Sequence, residues 1–319
     1  MTKILITGAG GYIGQELVAR LSKKNASAQG DQYSIVALDV RETPVEKRLA
    51  GVSYETADIR DESLRRFILK ERPAVVVHLA SIVSAGGDAE FEYSVDITGT
   101  KNVLDSCVAA GVGQIIVTSS GAAYGYHADS PEWLKETHPL RGNESFAYSR
   151  HKRMVEEMLQ EYKTRHPELR QLIFRPGSVI GENVSNQITA LFEKPWVMGI
   201  AGSKSSFVFI WDEDVVRCFM KGIEEQKQGV YNLAGTGALT MREIARILKK
   251  PYIPIPPFIL KAALWLARAL SLTKLGPEHV KFLQFRPVLD NSLLINQFGY
   301  TPKKTTREAF ELYLNARQK

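Results

Sequence analysis

The stretch KILITGAGGYIG (residues 3–14) decides the fold of this chain of 319 residues. An apolar, β-rich run precedes a cluster of glycines, and the helical spacing of Leu17, Val18 and Leu21 follows it. This order predicts a strand, a tight turn and a helix. Because the amino end of a helix carries partial positive charge, such a turn is suited to the phosphates of a nucleotide.

The glycines of this turn are spaced Gly-x-x-Gly-x-x-Gly. Gly8 permits the tight turn, Gly11 lets the main chain approach a pyrophosphate, and Gly14 allows close packing of helix on strand. Tyr12 and Ile13 lie in the same turn and are also candidate cofactor contacts. Glycine clusters also occur in ordinary turns, so the flanking strand and helix are what favour nucleotide binding.

Two further candidate contacts follow predicted strands. Asp39 ends the second strand, at 33–38, where a carboxylate can accept hydrogen bonds from both ribose hydroxyls, which favours NAD over NADP. Arg41 could soften the exclusion of a 2′-phosphate, and a solvated loop aspartate is the alternative interpretation. Asp58 and Ile59 follow the third strand and are predicted to meet the adenine.

Tyr148 and Lys152 are one helical turn apart. Tyr148 lies 28 residues after Ser120. Residues at i and i+4 share a helix face, so the ammonium group can lie near the phenol or near a cofactor ribose. A free tyrosine titrates near pH ~10, and a neighbouring cation favours its anion, so the phenol could exchange protons with an alcohol. Such pairs also occur by chance on solvated helices, and the glycine turn gives this one its weight.

Together these residues resemble the extended short-chain dehydrogenase/reductase family, the NAD-dependent epimerase/dehydratase group. The resemblance covers nearly the whole chain and rests on matches in order and spacing at 7–14, Asp39, Asp58-Ile59, 78–80, Gly99-Thr100-x-Asn102, Ser119-Ser120, Tyr124-Gly125, Tyr148-x-x-x-Lys152 and 175–179. One departure is Asp96, where family members often carry asparagine.

The resemblance implies a role for each part of the site. Tyr148 would be the general acid/base, Ser120 would orient the reacting oxygen, and Lys152 would bind the nicotinamide ribose while making the phenol more acidic. The residues expected to line the nicotinamide pocket are Ala80, Pro176 and Val179, with Leu79 and Ser81 as further cofactor contacts. Helices near 100–110 and 148–163 would form a homodimer.

Predicted strands alternate with helices through the first 175 residues, at 3–7, 33–38, 52–57, 74–79, 114–119 and 170–175. This pattern predicts an α/β fold with a Rossmann-type doubly wound parallel sheet and a second, smaller α/β substrate domain. We expect residues 1–177 plus about 206–234 to form the NAD-binding domain and residues 178–205 plus 235–319 the substrate domain. The active site should lie in the crevice between them.

The composition, 44% apolar and 24% charged, is typical of a globular protein. Lys and Arg are spread along the chain and the net charge is only +6, so nucleic-acid binding is disfavoured. Two cysteines and scattered histidines predict neither a disulfide nor a metal site; His78 is interpreted as structural. This cysteine usage fits a reducing cytoplasm, and the start lacks the long apolar core of a signal peptide.

The most hydrophobic later stretch, 254–272, is interrupted by Lys261 and Arg268 and contains prolines, so it does not qualify as a spanning helix and stable membrane insertion is not expected. We interpret it as a buried or half-buried helix. A lid over the substrate and a helix on a membrane surface are the alternatives, and both basic residues would share one face.

The resemblance also bears on the reaction. Residues 121–123 are Gly-Ala-Ala, without the acid that dehydratases usually carry there, so elimination is disfavoured and a ring has room. The segment 207–211 lacks the diphosphate-binding arginine of UDP-sugar epimerases; Arg286 could replace it, and Phe207, Phe209 and Trp211 are interpreted as core. The leading hypothesis is hydride transfer at a secondary alcohol of a sugar or sugar-nucleotide-like molecule. A dehydrogenase of a hydrophobic, sterol-like alcohol and a non-catalytic NAD-sensing regulator are the alternatives.

Overall fold

The structure, a computed structural model, describes residues 1–27, 32–83, 88–186, 188–203, 205–273 and 276–317. Its strands are β1 (Thr2–Thr7), β2 (Tyr33–Asp39), β3 (Val52–Thr56), β4 (Val75–His78), β5 (Gln114–Thr118), β6 (Arg170–Pro176), β7 (Ser178–Ile180), β8 (Val197–Ile200), β9 (Ser206–Phe207), β10 (Phe209–Trp211), β11 (Gly229–Leu233), β12 (Leu239–Thr240) and β13 (Tyr252–Ile255).

Helices connect these strands. They are α1 (Tyr12–Ser27), α2 (Glu62–Glu71), α3 (Ala89–Tyr93), α4 (Thr100–Ala110), α5 (Ala147–Arg165), α6 (Ala190–Glu193), α7 (Asp212–Glu224), α8 (Met241–Ile247), α9 (Pro257–Ala269), α10 (Val280–Gln284) and α11 (Thr306–Arg317). Short 3-10 turns at Gly121–Tyr124 and Pro277–His279 adjoin the candidate site described below.

Seven strands form one sheet in the order β11-β6-β5-β4-β1-β2-β3, and every neighbouring pair is parallel. The strand order reverses beside β1, whose last residue, Thr7, is paired with Leu38 on one side and His78 on the other. Ligands of open α/β sheets bind at the carboxyl ends of the strands at such a reversal. The predicted Rossmann-type doubly wound sheet is confirmed.

The predicted strands differ from the observed ones by at most one residue at either end. Alternate residues of β1 point to opposite faces: Ile4 packs on the side of α1 and α7, and Leu5 on the side of α2, α4 and α5. Because helices cover both faces, β4 and β5 are buried along their length, as their apolar runs predict. The smaller pairs β7–β10, β9–β12 and β8–β13 lie outside this sheet.

The aromatic segment 207–211 is core, as interpreted from the sequence. Phe207, Phe209 and Trp211 are buried in a cluster with Phe192 and Phe310. Both cysteines are free and buried, and burial raises the pKa of each thiol. Within the described ranges no three metal-ligating side chains cluster.

The interpretation of residues 254–272 as a buried or half-buried helix is confirmed as to the helix and its half-buried side, and wrong as to full burial. The helix α9 forms at Pro257–Ala269, but none of its residues is buried. One stripe, Leu260, Leu264 and Ala267, is half-buried, and the other faces are exposed. Hydrophobic composition cannot distinguish a helix inside the core from one that is apolar on its outer face. In the part of the chain that the structure covers, no helix is long and apolar enough to cross a membrane.

Candidate active site

The glycine turn joins β1 to α1 and packs tightly on the loop after β4. Gly8 has φ of +71°, and a Cβ atom there would lie 2.5 Å from the Ala80 nitrogen. A Cβ atom on Gly14 would lie 2.5 Å from the Gly8 oxygen, so helix and strand meet at a distance that only glycine allows. A Cβ on Gly11 would meet only that same oxygen, at 3.2 Å. No acidic side chain lies in the first turn of α1, so this turn fits an anionic pyrophosphate.

Asp39 lies beside this turn at the carboxyl end of β2. Its nearly buried carboxylate accepts hydrogen bonds from the main-chain nitrogens of Gly10 (2.9 Å) and Arg41 (3.0 Å). The Arg41 side chain is 79% exposed, and its Nε is 3.8 Å from the carboxylate. The aspartate is therefore fixed by backbone contacts, in a position compatible with the predicted contact to ribose hydroxyls.

Asp58 and Ile59 follow β3, and the structure adds Arg60, which the sequence analysis missed. The Arg60 guanidinium binds the Asp58 carboxylate at 2.5–3.0 Å and lies 4.9 Å from the centre of the Phe91 ring. Hydrogen bonding from Arg60 lowers the pKa of Asp58. Ile59 is buried against Gly99. The Asp-x-Arg spacing was the only sequence signal of this ion pair.

Tyr12 and Ile13 begin α1. The Tyr12 hydroxyl donates to the Asp212 carboxylate at the start of α7, and burial raises the pKa of this phenol. Ile13 packs on the core that β1 shares with α1. The Tyr12 side chain therefore fastens the glycine turn to α7.

Lys152 is buried in α5, and its ammonium group is the centre of the site. Its Nζ donates to Ser81 Oγ (3.0 Å) and to the Thr118 carbonyl oxygen (3.1 Å), and lies 5.7 Å from the centre of the half-buried Tyr148 ring. Ser81 directly follows Ala80, against which the glycine turn packs. The structure thus brings the predicted Tyr-x-x-x-Lys pair and the glycine turn together at the carboxyl edge of the sheet.

Ser120 lies two residues beyond the Thr118 carbonyl. Its Oγ accepts a hydrogen bond from the Ala122 nitrogen at 3.1 Å, so its own hydroxyl proton is free to be donated elsewhere. Ser149 of α5 donates to the Ala122 carbonyl at 2.6 Å and fixes the helix to this turn. A Cβ on Gly121 would lie 3.1 Å from the Leu289 side chain, so the small residue there serves packing against Leu289.

The remaining predicted nicotinamide contacts lie at the same edge. Leu79 and Ala80 follow β4, and the Leu79 nitrogen donates to the Thr7 carbonyl at 3.0 Å. Pro176 is buried at the end of β6, and Val179 is half-buried in β7. Chain topology therefore gathers segments that are far apart in sequence at one edge of the sheet.

Asp96, the departure from the family pattern, is buried and paired. It accepts hydrogen bonds from Ser81 Oγ (2.8 Å) and the Ile82 nitrogen (3.0 Å), and its second oxygen is 3.2 Å from Nδ1 of the buried His151. Burial alone would raise the pKa of Asp96, but these hydrogen bonds and the Lys152 cation hold the pKa below its ordinary value. A carboxylate at this position therefore has a partner that an isolated sequence position could not reveal.

His78 ends β4 and has a structural environment. Its two ring nitrogens contact Thr7 Oγ1 (2.7 Å) and Thr100 Oγ1 (3.1 Å). Burial, helped by the Lys152 charge, lowers the pKa of His78 to about 4. The ring is therefore neutral at physiological pH and links β1, β4 and α4, in keeping with its interpretation as structural.

A buried ion pair underlies the site, and the sequence analysis missed it. The Arg175 guanidinium binds the Glu156 carboxylate at 2.6 Å and the Tyr124 hydroxyl at 2.7 Å, while Ser119 Oγ donates to Glu156 at 2.5 Å. Although burial disfavours the cation, Glu156 raises the pKa of Arg175 above its ordinary value. Glu156 is one turn beyond Lys152 on the inner face of α5, and this spacing was the available signal.

Aromatic rings form one wall beside Tyr148. Phe146 is 6.3 Å from Tyr148 between ring centres and 5.4 Å from Phe282, which in turn is 4.8 Å from Tyr126. The Arg286 guanidinium lies between two rings, 4.7 Å from Phe282 and 3.9 Å from Phe207. This wall is supplied by residues near 126, 146 and 282 that no short motif connects.

Comparisons with known proteins agree with this geometry. A UDP-glucose 4-epimerase of Thermotoga maritima has the same fold, with a TM-score of 0.76 at 20% identity over all of both chains, and one of Thermus thermophilus has a TM-score of 0.74 at 22% identity over 99% of both. An uncharacterised protein of Mycobacterium tuberculosis is 24% identical over 98% of this chain and 84% of its own length. A UDP-glucose 4-epimerase of Erwinia amylovora is 34% identical over 58% of this chain and 56% of its own.

The family model described as NAD dependent epimerase/dehydratase family matches residues 4–234. This match spans the glycine turn, Asp39, Ser120, Tyr148 and Lys152. It confirms the resemblance and the prediction of NAD as cofactor. The chain belongs to the NAD-dependent epimerase/dehydratase family.

Proposed function

We propose that this protein transfers a hydride between NAD and a secondary alcohol of a sugar or sugar-nucleotide-like substrate, as an epimerase or a dehydrogenase. The observation that carries the proposal is the position of Lys152, whose ammonium group bridges Ser81 and Thr118 beside the Tyr148 ring. The same loop, 79–81, packs on the glycine turn. The proton-transfer group and the nucleotide site therefore share one crevice.

Each of the three central residues has a distinct role in the proposed reaction. NAD supplies the hydride acceptor when it is bound. Tyr148 removes the proton of the substrate hydroxyl as the carbinol carbon is oxidised, and Lys152 stabilises the phenolate electrostatically. Ser120 donates its free hydroxyl proton to the same substrate oxygen and holds the ketone that forms. In an epimerase the ketone rotates within the site before it is reduced on its other face.

Arg286 supports an anionic substrate. Its side chain is half-buried between Phe207 and Phe282, and burial lowers the pKa of the guanidinium. Among the residues that the structure covers, no carboxylate lies within 4.0 Å of this guanidinium. A desolvated cation without a carboxylate partner is suited to bind a phosphate group. Two similar solved structures, which contain UDP-glucose and UDP-glucuronic acid, support the same substrate class.

The aromatic wall of Tyr126, Phe146 and Phe282 also fits the runner-up, a dehydrogenase of a hydrophobic alcohol. Single-turnover mixing of the NAD-loaded protein with UDP-glucose or with cyclohexanol separates the candidates. We expect transient NADH absorbance without net accumulation with UDP-glucose. Stoichiometric NADH would exclude epimerisation, reaction with cyclohexanol alone would favour the hydrophobic alcohol, and no reduction with any carbinol would favour a non-catalytic NAD-sensing regulator.

A substitution pair tests the anion site. We expect Arg286→Gln to raise KM for UDP-glucose by about tenfold or more, the loss of about 1.4 kcal/mol of binding, with a smaller change in kcat. Arg242→Gln is the matched control, because Arg242 also stacks on a ring, that of Tyr252, at 5.5 Å. Equal KM values for the two variants would remove Arg286 from the substrate site.

Three organisational features belong to the same proposal. Residues 1–177 plus about 206–234 hold NAD, and residues 178–205 plus 235–319 hold the substrate, since Phe282 and Arg286 come from the second part. Two copies associate through α4 and α5, and the protein works in the cytoplasm. Sedimentation showing only monomer at micromolar concentration would overturn the dimer.

A further inference from the structure

The helix α9 exposes an apolar surface that neither the fold nor the candidate site uses. Phe258 is 72% exposed, Trp265 64% and Leu270 60%, and Ile259 and Leu266 are exposed beside them. Large hydrophobic side chains scattered singly on a surface are ordinary, whereas a contiguous apolar patch marks an interaction site. The outer face of α9 is therefore a candidate interaction surface.

This face is continuous because of its helical spacing. The half-buried stripe of Leu260, Leu264 and Ala267 faces the neighbouring segments 277–279 and 280–284. At 100° per residue, the opposite side carries only apolar residues, all exposed: Phe258, Ile259, Ala262, Ala263, Trp265, Leu266, Ala269 and Leu270. The helix's two charged residues, Lys261 and Arg268, are seven apart and share one border of this face.

The charge around α9 identifies the kind of partner. Residues 241–281 contain eight Lys or Arg and two Glu, so this segment holds a net charge of +6, equal to that of the whole chain. The rest of the chain has 33 basic and 33 acidic residues and is balanced. The basic side chains of Arg246, Lys249 and Lys281 are among those exposed in this segment. An apolar face with two basic residues at its border, in a segment of excess positive charge, complements an anionic lipid surface.

We propose that α9 docks this protein on the surface of a membrane that contains anionic lipid. The helix lies in the interface with Phe258, Trp265 and Leu266 among the acyl chains and Lys261 at the level of the headgroups. At 13 residues it is too short to span the bilayer, so the attachment is peripheral and reversible. This inference goes beyond the proposed reaction and does not depend on it.

Docking would bring the candidate site close to the membrane. Arg268 of α9 pairs with Glu278 at 3.0 Å, and His279 and Phe282 of the adjoining segments face Phe146, the neighbour of Tyr148. The surface that binds lipid and the aromatic wall are therefore on opposite sides of the same short segments.

Vesicle co-sedimentation of the full chain tests the proposal without NAD or substrate. Wild-type protein should pellet with phosphatidylcholine vesicles that contain phosphatidylglycerol, and much less with phosphatidylcholine alone. The triple variant Phe258→Ser, Trp265→Ser, Leu266→Ser should stay in the supernatant. Since its three sites are exposed, the variant should fold; Val45→Ser, Leu49→Ser, Trp133→Ser, at exposed sites outside α9, is the control and should pellet.

Two further measurements test the contribution of the basic side chains and the insertion of Trp265 into the lipid. Lys249→Gln, Lys261→Gln should weaken pelleting, and the blue shift of tryptophan emission on vesicles should disappear in Trp265→Phe. Wild-type protein that remains soluble with anionic vesicles would overturn the proposal. Self-association that the α9 triple variant abolishes, in the absence of vesicle binding, would assign the face to a second copy of the chain and would equally contradict it.

Discussion

The carboxyl edge of the central sheet and the segment 251–286 differ in how their side chains are buried and partnered. At the sheet edge, Lys152, Asp96 and Arg175 are buried, and each is held by charged or polar partners within 3.2 Å. In the segment 251–286, most apolar residues of α9 are exposed, and Arg286 lies between rings with no carboxylate within 4.0 Å among the described residues.

This difference indicates which region positions the reacting groups and which region recognises other molecules. A buried polar network has one satisfied arrangement, so the sheet edge positions the proton-transfer groups rigidly. Unpartnered apolar and cationic groups gain their contacts only from another molecule, so the segment 251–286 is suited to recognise a substrate and a surface. Substitutions matched between the two regions test whether they differ in this way.

The largest effect is expected for a buried ion pair. Arg175→Met leaves Glu156 buried without its cation and should lower the free energy of unfolding by about 3–5 kcal/mol. Arg268→Met removes the exposed pair with Glu278 in the other region and should cost about 1 kcal/mol or less. Denaturant unfolding of both variants measures this difference. Equal losses would show that the two regions are alike in rigidity.

A pH dependence of similar size is expected from His78. The folded protein holds the pKa of this residue at about 4, below its value of about 6.5 in an unfolded chain. Stability is therefore complete above about pH 6.5 and falls by about 3 kcal/mol as the pH drops toward 4, because only the unfolded state takes up the proton. The slope of unfolding free energy against pH should be smaller in His78→Gln. An unchanged slope would contradict this.

A smaller effect is expected from two glycines. A Cβ on Gly14 would meet backbone atoms at 2.5–2.8 Å, so Gly14→Ala should cost about 1–3 kcal/mol and weaken NAD binding. A Cβ on Gly276, in the other region, would meet the movable ends of Glu278 and Arg268 at 2.4–2.6 Å, and Gly276→Ala should cost about 0.5 kcal/mol or less. Thermal unfolding with and without NAD compares the two variants. Unchanged stability and NAD binding in Gly14→Ala would contradict the role of Gly14 in the cofactor turn.

The sequence predicted the sheet edge well because its signals are local. Strand, glycine turn and helix follow one another within 14 residues, and Tyr148 and Lys152 are fixed by one helical turn. The six predicted strands form with ends displaced by no more than one residue. Local patterns of this kind are determined by short-range backbone and side-chain geometry.

Long-range partners could not be predicted in the same way. Asp96 is 55 residues from His151, and Glu156 is 19 residues from Arg175, so each pair exists only once the strands are ordered. The apolar pattern of α9 predicted a helix but not which side would be covered, because that depends on what packs against it. The placement of Arg286 between Phe207 and Phe282 likewise required the fold.

The central claim is that the Tyr148 phenol, beside the Lys152 cation, transfers the substrate proton in the crevice of the glycine turn. The most direct measurement is the single-turnover rate of hydride transfer in NAD-loaded Tyr148→Phe, with the carbinol that the wild-type protein oxidises. We predict a rate lower by about 10²–10⁴-fold with NAD affinity preserved, while Tyr93→Phe, at a partly exposed tyrosine, keeps the wild-type rate. A wild-type rate in Tyr148→Phe would contradict the account.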